Sequence, residues 1–296
     1  MRARIPARAP SPYDPDQREI SRLMKKTQFV PHMSAAVCDA ATAAWARFAR
    51  THLLAACAVA FLLFALAPTA TVFAQHKFSK TYPARRNIRL QLNNRSGTIE
   101  VVGWERNEIK ISADMEAPAA RFTPVLTGDG LVIDVMNDTR GREDVGDVNF
   151  RIQVPSESTV DLETKRGNII VHNVRGAMVR AVVTTEGDIN LTGIRANRVM
   201  ASIISGNILF DADLMRGGMY ELKSTQGDIN LRINAGSGFT LTATAPRTRN
   251  INLGDFAGRG SWDFQSNNRR VVGKVGDGGA ILNTTNLRGS IMFVSR

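Results

Sequence analysis

Four glycines recur through the middle of the chain, at Gly167, Gly187, Gly206 and Gly227, with intervals of 20, 19 and 21 residues. A fixed period of about twenty means stacked supersecondary units, because a unit that short cannot bury its own apolar face. The fullest copies are TTEGDINL, Thr184 to Leu191, and STQGDINL, Ser224 to Leu231. Each glycine is followed by Asn or Asp (Asn168, Asp188, Asn207, Asp228) and then by isoleucine (Ile169, Ile189, Ile208, Ile229). Two places further on stand Val171, Leu191, Phe210 and Leu231. A spacing of two puts both apolar residues on one face of a strand and the polar residue between them on the other.

The residues before each glycine carry a second strand of the same parity. Val160, Val179, Val199 and Tyr220 form one column, Leu162, Ala181, Ala201 and Leu222 the next, and Thr164, Val183, Ile203 and Ser224 close it. Each unit is thus expected to be two short strands with apolar faces inward, joined where glycine supplies positive φ or close backbone approach. The pattern continues upstream at Gly97, with Leu90, Leu92, Ile99 and Val101, and ends at Gly289, with Ile291 and Phe293. Ile251 and Leu253 repeat it with Arg249 where glycine would stand. Between Gly97 and Gly167 the stretches EIKISADME, GLVIDV and VNFRIQVP read as less regular strands, and no helical period of useful length follows residue 75. The expected fold is all-β, a single-stranded β-helix or β-solenoid with coils of about 20 residues, because equivalent residues recur where coils would stack. An antiparallel β-sandwich is the alternative, and it requires no such column. On this reading residues 75–296 are one repeat domain, less regular over 75–155 and regular over 156–296.

The segment 1–74 has a different character. The apolar run Leu53 to Ala67 follows Arg47 and Arg50 and leads through Pro68 to Val72, Phe73 and Ala74. That is the layout of a secretory signal, with cleavage expected after Ala74. No charged residue lies between Leu53 and Ala74, so an uncleaved membrane attachment through residues 53–74 is the rival reading. Either way the rest is expected outside the cytoplasm, in the periplasm or at the cell surface. LAAC, Leu54 to Cys57, has the form of a lipoprotein box, but the apolar run follows that cysteine instead of preceding it. Cys38 and Cys57 are the two cysteines, so the remainder has no disulfide or thiolate site and must be held by its core. The net charge of +11 permits attraction to anionic envelope polymers, lipid or nucleic acid.

Few residues invite chemistry. Asp188 and Asp228 would lie two coils apart, on the order of 10 Å, with Asn207 between. An inverting pair of glycosidase carboxylates has nearly that separation, but Asx beside glycine is more often a turn former bonded to its own backbone. The nine-residue period of calcium-binding β-rolls is absent, and His76 and His172 are far apart in sequence. No metal site, cofactor or catalytic residue is expected. Arg175, Arg195 and Arg216, spaced 20 and 21 apart, suggest a basic stripe that could face an anionic envelope polymer. Trp104, Trp262, Tyr82 and Tyr220 are the main aromatic candidates after residue 75, too few for nucleic-acid recognition by stacking.

The chain resembles the bacterial DUF4097-type β-strand repeat proteins, a family of proposed adhesins. The resemblance runs from about Asn87 to the C-terminus. It rests on NNRSGTIEVVGW (Asn93 to Trp104), FRIQVPSESTVDLETKRGNIIV (Phe150 to Val171), TTEGDINL, IISGNILF, STQGDINL and the closing GDGGAILNTTNLRGSIMF (Gly276 to Phe293). The resemblance implies an exported β-solenoid, with adhesion suggested by the family's name, and it carries over no catalytic residue. The reading adopted is a non-enzymatic envelope or surface scaffold that binds an unknown envelope polymer or protein. An extracytoplasmic carbohydrate-active enzyme and a self-assembling structural element are the alternatives.

Overall fold

A computed structural model describes residues 76–128, 130–142, 144–265 and 269–296. The expected signal, the cleavage position after Ala74, the attachment segment 53–74 and both cysteines lie outside the described residues. The described part is all-β, apart from a four-residue helix, α1 (Val135–Asp138), and 3-10 turns at Thr248–Asn250 and Gly254–Phe256.

The less regular part holds β1 (His76–Pro83), β2 (Arg89–Ser96), β3 (Ile99–Trp104), β4 (Glu108–Met115), β5 (Val125–Leu126), β6 (Gly130–Asp134) and β7 (Val148–Pro155). Four glycine units follow: β8 (Thr159–Arg166) with β9 (Ile169–His172), β10 (Met178–Glu186) with β11 (Ile189–Ile194), β12 (Arg198–Ser205) with β13 (Ile208–Ala212), and β14 (Met219–Gln226) with β15 (Ile229–Ile233). The chain closes with β16 (Phe239–Thr244), β17 (Ile251–Asn252), β18 (Gly260–Gln265), β19 (Arg270–Val275), β20 (Ala280–Arg288) and β21 (Ile291–Ser295).

The two strands of each unit go to different sheets, and each strand pairs in parallel with its equivalent in the next unit. One sheet runs β1-β4-β7-β3-β9-β11-β13-β15-β21-β17, the other β18-β19-β16-β20-β14-β12-β10-β8-β2-β6-β5. The register joins Val160, Val179, Val199 and Tyr220, and likewise Ile169, Ile189, Ile208 and Ile229, into continuous columns. All of these are buried, so the period-two pattern places one apolar face of each sheet in a shared core.

The glycines stand in register as well. Gly97, Gly167, Gly187, Gly206 and Gly227 have φ of 107°, 115°, 149°, 134° and 118°, a region that β-carbon sterics deny to most residues. Each also lies against the neighbouring backbone. A Cβ on Gly167 would sit 2.2 Å from the Gly97 carbonyl oxygen, on Gly187 2.0 Å from that of Gly167, and on Gly206 1.5 Å from that of Gly187. The same contact continues from Gly227 to Gly206 at 2.1 Å and from Gly289 to Gly227 at 2.0 Å.

The column exposes a departure from sequence order. Gly97 lies directly against Gly167, because β2 and β3 sit between the β6–β7 unit and the β8–β9 unit. At the other end the last unit, β20 with β21, sits between β14–β15 and β16–β17. The first and last glycine units are therefore interior, and later or earlier segments lie outside them. Arg249 is in register with Gly289, since Ile251 pairs with Ile291, and there the glycine turn is replaced by the 3-10 turn Thr248–Asn250.

Both ends of the stack are covered in related ways. At one, antiparallel β4 and β1 extend the first sheet, and Phe122 packs edge-on to Phe78 and Phe150, with centroids 5.0 and 5.1 Å away. At the other, antiparallel β19 and β18 extend the second sheet, and Phe256 packs against Phe239 and Phe293 at 5.3 and 6.5 Å. Such covers shield apolar surface that an interior unit would otherwise hide.

The glycine contacts lead to a paired test. Gly206→Ala meets both positive φ and backbone and is expected to cost at least about 2 kcal/mol. Gly217→Ala, at φ 75° with open space around it, is expected to cost only about 1 kcal/mol. Urea unfolding of the two variants measures the difference.

Candidate functional site

Each Asx side chain beside one of the four repeat glycines accepts a backbone amide from a neighbouring unit. The Asp188 amide donates to the Asn168 side-chain oxygen at 2.9 Å, and the Asn207 amide to an Asp188 carboxylate oxygen at 2.8 Å. The Asp228 amide donates to Asn207 at 2.9 Å and the Ser290 amide to Asp228 at 2.8 Å. Thr98 and Asn149 repeat the contact at 2.8 Å near the other end. The turn role expected of these side chains runs not through their own backbone but across to the next unit. The cause is the period itself, which brings an unpaired amide in the neighbouring turn to hydrogen-bond distance. Only a short Asx side chain reaches it without leaving the column.

The arginine stripe is not continuous. The Arg195 amide donates to Val174 O at 2.9 Å, which sets Arg195 level with Arg175. The Asp213 amide donates to Ile194 O at 2.9 Å, so Asp213, not Arg216, is level with Arg195. On the other side the Arg175 amide donates to Ser156 O at 2.6 Å, setting Glu157 level with Arg175. Two exposed arginines are thus bracketed by acids. Arg216 stands in a connection three residues longer than its counterpart, since Arg195 to Arg198 aligns with Asp213 to Met219. There it pairs with Asp277 at 3.2 Å, at the edge of a 440 Å³ depression lined in part by Asp213, Asn234 and Gly279. Equal spacing in sequence concealed this insertion.

The aromatic candidates are committed locally. Trp104 Nε1 donates to Glu108 O at 2.8 Å, with the Arg106 guanidinium 5.2 Å from its ring, and Trp262 Nε1 donates to Ala257 O at 3.1 Å. Tyr82 is buried with the Lys80 ammonium 4.8 Å from its ring. Tyr220 is fully buried; its hydroxyl accepts from the Met215 amide at 2.6 Å and donates to Ala196 O at 3.0 Å. Burial pushes the Tyr220 pKa above its ordinary 10.0; the Met215 bond opposes this and the Asp213 charge adds to it. His172 Nδ1 lies 2.8 Å from Thr192 Oγ1, in the next unit.

Two features were not singled out in the sequence. Arg180 bridges Asp161 at 2.8 Å and Glu163 at 2.9 Å on an outer face, and Arg89 joins Asp161 at 3.2 Å. Burial alone would lower the Arg180 pKa, but its bonds to the two carboxylates prevail and the net shift is upward. The alternation of polar outward residues contained this network, but only the register pairs Arg180 with Asp161. The second is a depression of about 400 Å³ lined by Asn93, Asn94, Asp134, Arg140, Glu163 and Lys165, among others. It joins β2, β6 and β8, which the non-sequential order brings together. Among the described residues no group of three or more His, Cys, Asp or Glu side chains is arranged to hold a metal ion.

The Toastrack DUF4097 family matches residues 85–245, more than half of the chain, and the chain belongs to it. No curated protein sequence matches it. A proposed cell adhesion protein from Clostridium sporogenes is similar in structure at 10% identity and TM-score 0.42, over 74% of this chain and 98% of its own. A proposed adhesin from Bacteroides fragilis matches at 8% identity and TM-score 0.30, over 75% and 98%. A proposed lipid binding protein from Parabacteroides distasonis matches at 9% identity and TM-score 0.30, over 74% and 97%.

Two substitutions test these assignments. Asp188→Ala is expected to cost about 1 kcal/mol, and Asp188→Asn, which keeps the acceptor oxygen, less than about 0.5 kcal/mol. Tyr220→Phe strands the Met215 amide and Ala196 carbonyl and is expected to cost about 1–3 kcal/mol. The folded chain holds the Tyr220 proton more tightly than the unfolded chain. Stability from this source is therefore intact below about pH 10 and falls as pH rises through the raised pKa, a fall that Tyr220→Phe reduces. Denaturant titration across that range reads both effects.

Proposed function

We propose that this chain is a non-enzymatic exported envelope or surface protein, an adhesin-type scaffold that binds its partner through the outer surface of a two-sheet β-solenoid. Winding with a turn of about 20 residues is supported by the parallel pairing of each strand with the strand two places on, in alternate sheets. In this reading residues 75–296 form the repeat domain, and residues 1–74 direct it out of the cytoplasm.

The observation that carries the non-enzymatic reading is the use of Asp188 and Asp228 as acceptors for amides of neighbouring units. A carbohydrate-active enzyme needs one carboxylate free to take a proton and a second placed against the sugar. Here the acidic column that recurs with the period serves the stack. Self-assembly draws less support, because two of the four outermost strands, β5 and β17, are only two residues long and phenylalanine clusters pack on the core at each end.

Export gives the test. N-terminal sequencing of the protein recovered from the periplasm or cell surface is expected to begin at Gln75. A mature chain that still contains Arg50 contradicts cleavage, and recovery from the cytoplasm alone contradicts export.

A further inference from the structure

The charge of the repeat domain is unevenly placed along the stack. Residues 76–158 carry 12 basic and 12 acidic side chains, residues 159–245 carry 9 and 8, and residues 246–296 carry 8 and 3. The excess is thus gathered where the stack is closed by β16 to β21.

Three turns at this end lie side by side. The turn after β16 carries Arg247 and Arg249, Arg269 immediately precedes β19 and Arg270 opens it, and β20 ends with Arg288. Thr244 is paired with both Arg270 and Thr285, and the Ala245 amide donates to Arg269 O at 2.9 Å. Asn250 Nδ2 donates to Gly289 O at 3.4 Å, which joins the first turn to the third. All five arginines are exposed, and among the described residues none of them is ion-paired to a carboxylate. Like charges held so close repel one another, and an anionic partner relieves the repulsion.

The strands that flank these turns carry Phe264, in β18, and Leu287, in β20, on opposite faces of the sheet but both near this edge; each is 58% exposed, the highest value among the large apolar side chains described. Phe264 is opposite Val271, next to the Gln265–Arg270 pair, and Leu287 precedes Arg288. Phe264 shares the parity of Trp262, which packs on the Phe256 turn, but the other sheet ends at the two-residue β17 and leaves Phe264 uncovered.

We infer that this end of the stack docks on an anionic lipid surface. The arginines meet headgroup phosphates, while Phe264 and Leu287 enter the boundary between headgroups and acyl chains. A soluble polyanion would satisfy the arginines and leave both apolar side chains in water. The inference rests on the proposed binding role and names a partner and a face for it.

The test uses the full chain, with flotation on phosphatidylglycerol vesicles and on neutral phosphatidylcholine vesicles. The readout is the ratio of the two affinities, so that any insertion by residues 53–74 is common to all variants. Arg247→Gln/Arg249→Gln/Arg269→Gln/Arg270→Gln is expected to lower the preference for anionic vesicles at least about tenfold. Phe264→Ser/Leu287→Ser is expected to lower affinity for anionic vesicles at least about threefold and to leave binding to heparin, a soluble polyanion, unchanged. Unfolding midpoints equal to the parent's confirm that both variants fold. An unchanged preference in the arginine variant overturns the inference. So does full vesicle affinity in the Phe264→Ser/Leu287→Ser variant, which assigns the arginines to a soluble polyanion. Neither failure bears on export or on the non-enzymatic reading, which N-terminal sequencing and the acidic column address separately.

Discussion

The close approach of backbone to backbone along the glycine column sets the terms for everything else in this protein. At each turn the peptide of one unit lies where a β-carbon of the next would have to be. Only glycine permits it, and the approach holds successive units in one register. That register has two consequences. It stacks the inward isoleucines, valines and leucines into an unbroken core, and it sets the Asx side chains opposite the amides of the neighbouring turn. The polar column is thus a product of the same spacing that builds the apolar one.

Much of this was legible in the sequence, since a period-two pattern within a period of about twenty determines which residues share a column. The column Val160, Val179, Val199 and Tyr220 follows from counting alone. Counting failed where spacing and register diverge. Arg216 keeps the interval of its predecessors but lies in a connection lengthened by three residues, so Asp213 takes its place beside Arg195. The interior position of Gly97 and Gly289 was equally hidden. A repeat shows that units stack, but the order in which they stack is set by long-range pairing that neither neighbour records. The Asx partners were missed for a related reason, because an Asx side chain beside glycine has a local acceptor role and a cross-unit one with the same local sequence.

The insertion of the terminal units gives the molecule two kinds of surface. Through the middle, outward residues are near charge balance and are organised into pairs such as Arg180 with Asp161 and Glu163. At the β16–β21 end, the segments outside the last glycine unit depart from the repeat. There Arg249 stands in register with a glycine, a 3-10 turn replaces the tight one, and Arg247, Arg249, Arg269, Arg270 and Arg288 accumulate without an ion pair to a carboxylate among the described residues. Positions freed from the stacking constraint are those at which the sequence can serve recognition.

The order of units can be tested by cross-linking in a chain with Cys38→Ser and Cys57→Ser. Glu221 on β14 is paired with Asn283 on β20, and Asn283 with Thr242 on β16. Neighbouring strands lie about 4.8 Å apart, within the reach of a disulfide, and strands two places apart do not. Mild oxidation is expected to join Glu221→Cys to Asn283→Cys rapidly and to leave the Glu221→Cys/Thr242→Cys chain reduced. Efficient cross-linking of the second pair with none in the first would mean that the units stack in sequence order, and would contradict the account.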